Sequence, residues 1–224
     1  MAYGISVSNT GGSVLIDQEY ISLYEKESGT ISTTGSPGSG EEFPDFVNVP
    51  ANYDRNTDVL AIQGQKAGMR FFLASALDGD GLRIGCWGTA GNIKYKLFSR
   101  MDTDLTPSNN YGLEVFNEAG DVVFSSNEKY PRVEATYTGQ SPVSNTQVST
   151  SNVVWAVLGG TEMYRVYTDA PNTRFAYQTV ECHRVDGTGN TFYRPLNYET
   201  YSSFSYALGD IGNNSIKTIV FLSE

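Results

Sequence analysis

Apolar residues in this chain come in short alternating runs, each ended within about four to eight positions by Gly, Asn or Asp, and that rhythm fits strands, not helices. An amphipathic helix needs an apolar stripe at a 3.6-residue period over ten or more positions, and little of the chain offers one. The composition agrees. Tyr 15, Phe 11 and Gly 23 pair side chains suited to a pleated, half-buried surface with the residue that accepts positive φ at tight turns. With 224 residues, 39% of them hydrophobic, there is enough material for a real core. The expectation is an all-β, antiparallel β-sandwich. Its strands are expected near Val59–Gln63, Met69–Ser75, Leu82–Trp87, Ile93–Phe98, Val133–Tyr137, Val153–Leu158, Tyr164–Tyr167, Thr173–Val180, Phe204–Leu208 and Ile216–Leu222, the last as a core strand.

One stretch occurs twice. Residues Tyr3 to Asp17 alternate on either side of Asn9-Thr-Gly-Gly12, the signature of a hairpin. Residues Tyr111 to Ser125 repeat it 108 positions later, with Tyr, Gly, Val, Asn, Gly and Val in register. Shared turn chemistry and duplication both account for this. On duplication the chain is two related β-modules in tandem, 1–105 and 106–224, meeting at the polar stretch Asp102–Asn110; on convergence it is a single sandwich. Between Glu27 and Pro44 the sequence turns to Ser, Gly, Thr and Pro, which bury too little apolar area to offset their ordering entropy, so a flexible arm is expected over 27–44.

The net charge is −10 and the acids are scattered. A nucleic-acid partner needs clustered Lys and Arg, and the densest basic stretch, Lys94, Lys96 and Arg100, is interrupted by apolar residues and reads as the solvated face of a strand. Membrane insertion is not expected, because no run approaches the roughly 18 apolar residues of a spanning helix. The opening Met1-Ala2-Tyr3-Gly4 lacks the charged and apolar regions of an export signal, so synthesis in the cytoplasm and two reduced, packed thiols at Cys86 and Cys182 are expected.

No catalytic, cofactor or metal site is expected. Asp78-Gly-Asp-Gly81 lacks the further ligands of a calcium loop and reads as a hairpin turn. His183 is the sole histidine; it reads as a surface residue at a strand end, on the opposite face from Cys182. A carboxylate pair for glycoside hydrolysis needs no fixed spacing, but Glu114, Glu134, Glu162, Glu181 and Glu199 each read as strand residues. The richest binding candidate lies in Phe192 to Tyr206, where Phe192, Tyr193, Arg194, Asn197, Tyr198 and Tyr201 combine stacking rings with polar groups. Those residue types suit either a glycan or a subunit contact.

The pieces Ala2-Tyr-Gly-Ile-Ser-Val-Ser-Asn9 and Tyr111-Gly-Leu-Glu-Val-Phe-Asn-Glu-Ala-Gly-Asp-Val-Val-Phe-Ser-Ser126 resemble a pattern in small tail-tip and tail-fibre-associated proteins of tailed bacteriophages. Those proteins often open with Tyr-Gly and a strand and carry a Tyr-Gly-Leu-x-Val-x-Asn-x-x-Gly-x-x-Val-Phe-Asp-Ser hairpin. Ser125 departs from it, standing where Asp is usual. The resemblance covers about thirty residues and is structural, not catalytic. It implies a structural component of the virion tail, at the tip, baseplate or fibre, with other tail proteins and further copies of the chain as partners and a role in assembly and host attachment. The alternative is a module that recognises a cell-surface glycan through the aromatic segment. An enzyme acting on envelope polysaccharide has only the unplaced carboxylates in its favour.

Overall fold

The computed structural model describes residues 6–8, 14–17, 22–34, 45–75, 82–100, 112–138, 148–158, 163–167, 173–185, 191–201 and 218–223. The first half contributes β1 (Ser6–Ser8), β2 (Val14–Asp17), β3 (Leu23–Thr33), β4 (Asp45–Asn48), β5 (Asp58–Gly64), β6 (Met69–Ser75), β7 (Leu82–Gly88) and β8 (Gly91–Arg100). The second contributes β9 (Glu114–Phe116), β10 (Val122–Ser125), β11 (Arg132–Thr138), β12 (Val148–Thr150), β13 (Val154–Val157), β14 (Met163–Tyr167), β15 (Thr173–Arg184), β16 (Thr191–Tyr201) and β17 (Thr218–Ser223). The protein is all-β. Among the described residues no helix is long and apolar enough to cross a membrane.

Pairing arranges these strands in two antiparallel layers. One runs β3-β8-β5-β13-β17-β11 and the other β4-β7-β6-β15-β16-β12, with β14 added beside β15. A single parallel bridge, His183 to Gly64, connects them. The principal core is filled from both layers: Leu60, Ile62, Leu97, Ala156 and Phe221 from the first meet Phe71, Ile84, Val180, Cys182 and Tyr193 from the second. A smaller cluster of Ala61, Phe98, Trp155 and Leu222 covers the other face of the first layer. Strand β5 is therefore buried on both faces, which is why Val59 to Ile62 reads as an unbroken apolar run.

The two halves have the same wiring. Hairpin β1–β2 pairs Ser6 with Asp17, Val7 with Ile16 and Ser8 with Val14; β9–β10 pairs Glu114 with Ser125, Val115 with Phe124 and Phe116 with Val122, each residue 108 positions on. Both hairpins skip one residue, Leu15 and Val123, at the same place. The β3–β8, β5–β8, β6–β7 and β4–β7 pairings recur as β11–β17, β13–β17, β15–β16 and β12–β16, leaving only β14 without a counterpart among the described residues. A bulge falls at Lys26 of β3 and again at Glu134 of β11, also 108 residues apart. Registers identify counterparts residue by residue. Asp58 pairs with Ser99 and Val154 with Ser223, so Val157 corresponds to Ala61; Phe71 pairs with Cys86 and Val180 with Pro195, so Val180 corresponds to Phe71. Ala61 pairs with Val157, and Phe71 with Val180. A residue that pairs with its own counterpart marks a pseudo-two-fold, and it occurs once in each layer.

The halves 1–105 and 106–224 do not carry separate cores; they share both layers and one interior. The arm expected over 27–44 is also corrected at its start. Residues Glu27 to Thr33 lie in β3, paired with β8 through to Gly91, because every second side chain is partly or fully buried and Gly29 makes room for the Tyr95 ring. Residues 35–44 lie outside the described set, as do 102–110. The remaining expected strands are present except Phe204–Leu208, which also lies outside it. Strands β4 and β12 and most of β16 were not anticipated, being short or, in β16, interrupted by Pro195.

A Cβ on Gly85 would come within 2.1 Å of the fully buried Phe72 ring. The Gly85→Ala variant should therefore lose about 1–3 kcal/mol in urea unfolding, the usual cost of overpacking a filled core, whereas an unchanged midpoint would show that the β6–β7 face has slack.

Candidate functional site

The expected contact segment forms β16, and the structure divides it. Tyr193 is only 3% exposed, its ring packed on Phe221 at 4.4 Å between centroids, with burial pushing its hydroxyl up to about 12. It is a core residue, and no ring face is left for a sugar. Phe192, on the opposite face of the strand, stays half-buried and stacks on the His183 imidazole at 4.8 Å. Arg194, Asn197, Tyr198 and Tyr201 lie along β16, with Arg194 opposite Glu181 and Tyr201 opposite Phe175 in register; their side chains lie outside the described set.

His183 is buried, not at the surface as expected, because β15 runs through the middle of its layer between β6 and β16. Its Nδ1 lies 3.2 Å from Glu181 Oε1 but off hydrogen-bonding geometry, and the same oxygen accepts the Gly68 amide at 2.9 Å. Glu181 is thereby committed to a turn. Cys182 points the other way, as the alternation predicts, and its thiol donates to the Val154 carbonyl at 3.1 Å. Burial raises the thiol pKa of both cysteines, that of Cys86 to about 12. Glu134 accepts from Asn152, and Glu114 sits half-buried in β9; Glu162 and the side chain of Glu199 lie outside the described set. Among the described residues no three His, Cys, Asp or Glu side chains are grouped to hold a metal ion. The turn expected at Asp78–Gly81 lies outside the described residues.

Sequence reasoning missed the two places where the outer face of the first layer is distinctive. Lys96, read as solvated, is buried: its ammonium donates to Glu25 at 2.6 Å and lies 5.3 Å from the centre of the Trp155 ring. Burial raises the Glu25 carboxyl, but hydrogen bonding and charge from Lys96 outweigh it and hold the group below its ordinary 4.5. The only signal was Lys96 standing between Tyr95 and Leu97. On the same face, Leu23, Val59, Val133, Val157, Val220 and Leu222 line an apolar groove of about 700 Å³, together with Phe124 and Tyr130. The Tyr130 hydroxyl donates to the Ser125 carbonyl, so little polar capacity faces the groove. Such a surface suits uncharged, apolar groups.

No family model, curated protein or solved structure matches the chain.

Three outcomes test these assignments. Because the Glu25 carboxyl is depressed, its stabilising contribution is complete above about 4.5 and lost as pH falls through its folded value. The urea midpoint should thus drop as pH falls below about 4.5, less steeply in Glu25→Gln. Lys96→Ala should cost about 3 kcal/mol by leaving a buried carboxylate alone, and the volume-matched Glu25→Gln/Lys96→Met pair distinctly less; equal costs would mean the ion pair contributes no coupling. Both thiols should resist an aromatic disulfide reagent in the folded chain and react once it is denatured, and fast labelling of the native protein would contradict their burial.

Proposed function

We propose that this protein is a structural component of a bacteriophage tail, at the tip, baseplate or fibre, working in assembly beside other tail proteins and further copies of itself. The observation that carries the reading is the segment Tyr111–Ser126, whose sequence resembles the tail-protein pattern and whose strands β9 and β10 form a hairpin apart from the two layers. The same hairpin is built twice in one chain. Its turn uses the motif residues for geometry: Asn117 Oδ1 accepts the Asp121 amide at 2.8 Å, and Gly120 takes φ of 91°. A segment conserved in shape within one chain, yet outside its main sheet, is fitted to contact. Leu113 and Phe116, among the few large apolar residues exposed in the described set, lie on it. The burial of Tyr193 weakens the glycan alternative by removing one of its stacking platforms.

Mass spectrometry of purified phage particles decides the matter. Peptides of this chain should appear with the other tail proteins at a constant ratio, and their absence from particles in which those proteins are found would end the proposal.

A further inference from the structure

The pseudo-two-fold allows corresponding places in the two halves to be compared directly. On the outer face the side chains differ. By register, Glu25 corresponds to Val133, Lys96 to Val220 and Trp155 to Val59, so an ion pair under an indole in one half is matched by three valines bordering the groove in the other. At the backbone, one contact crosses from half to half. The Ser22 amide donates to the Val123 carbonyl at 3.1 Å and the Glu25 amide to the Lys129 carbonyl at 2.9 Å, so β10 and the residues after it cap the start of β3. The acceptor Val123 is the residue that β10 leaves out of its pairing with β9. A bulged residue has no partner in its own ladder, which turns its carbonyl to the service of another strand.

The parts of this cap recur at an offset of 108. Leu15, the counterpart of Val123, is the residue that β2 leaves out of its pairing with β1. Tyr130, the counterpart of Ser22, stands shortly before β11 as Ser22 stands before β3. Strands β3 and β11 both bulge one residue after the corresponding positions Glu25 and Val133. Ser22 with Tyr130, and Leu23 with Pro131, line the same groove, which brings the two strand starts together at the axis. A main-chain hydrogen bond asks for no particular side chain, so the change from Glu25 to Val133 leaves the requirement for a cap intact. We infer that β2 caps the start of β11 within the same chain, with the Tyr130 amide donating to the Leu15 carbonyl. The clasp is then reciprocal: the hairpin of each half holds the first strand of the other, and both outer edges of the first layer are guarded where they begin. Val123 and Lys129 serve the clasp, whereas the exposed Leu113 and Phe116 lie beside and on β9 and stay available for contact. The clasp does not depend on the chain's place in a particle.

The test is nuclear magnetic resonance on the full-length chain. The Tyr130 amide should be protected from hydrogen exchange to the same order as the Ser22 amide, at least about 100-fold relative to an open chain. A nuclear Overhauser contact should join the Tyr130 amide proton to protons of Leu15 or Ile16, as its counterpart joins Ser22 to Val123 or Phe124. In a mixture of labelled and unlabelled chains that contact should remain within one chain. Val7→Pro, which breaks the β1–β2 ladder on the strand that takes no part in the cap, should speed exchange at Tyr130 about tenfold or more while the β11–β17 amides stay protected. An unprotected Tyr130, a missing Overhauser contact where the Ser22 one is seen, a contact found only between chains, or Tyr130 protection that survives Val7→Pro would each overturn the proposal. Should Val7→Pro fail to fold, the measurements on the parent still decide it.

Discussion

The pairing of β5 with β13 through Ala61 and Val157 is the contact on which the architecture depends. Each strand is apolar on both faces: Leu60 and Ile62 point into the principal core while Val59 and Ala61 meet the outer cluster, and Ala156 and Trp155 divide in the same way. A strand of that kind cannot stand at the edge of a sheet, because it would expose unpaired backbone and side chains on two faces together. Placing the two against each other moves the edges outward to β3 and β11, whose exposed positions carry more polar residues. The second contact on the pseudo-axis, Phe71 beside Val180, does the same for the other layer. Neither half satisfies its central strands alone, which explains why a repeated unit yields a single core.

Within this symmetric frame the halves differ in chemistry. Burying Lys96 and Glu25 requires that each satisfy the other, since an isolated charge there would be costly. The counterpart valines need no such matching and leave space instead. The halves also differ in length: β14 has no equivalent in the first, and it lies beside the long strand β15. The differences lie on the outer face and the edges, while corresponding core positions such as Leu97 and Phe221 are both apolar and buried.

Much of the fold was legible because strand periodicity is a local property. Met69–Ser75 and Leu82 onward could be placed from alternation and the Gly-rich turn between them, and the hairpin repeat from Asn9 and Asn117 with their glycines. What escaped depends on partners distant in sequence. The Ser and Thr run of β3 looks too polar to order itself, yet ten registered positions against β8 hold it. Tyr193 looks like a surface aromatic among other aromatics until Phe221 arrives from the far end of the chain. Lys96 and His183 follow the same rule, since composition says nothing of which layer a strand will occupy or how deep. The apolar groove left no local trace, being a difference between two positions rather than a motif.

The separation in sequence between β5 and β13 has a consequence for biosynthesis. Val154 follows Asp58 by 96 residues, so during translation β5 leaves the ribosome well before its partner exists. At elongation rates of about 5–20 residues per second the wait is on the order of 5–20 s. Through that interval the nascent chain displays the apolar run Val59–Ile62 with an unoccupied side, able to recruit the same run from a neighbouring polysome. Production of the protein thus favours slow initiation or a chaperone that shields the first run until the second is made.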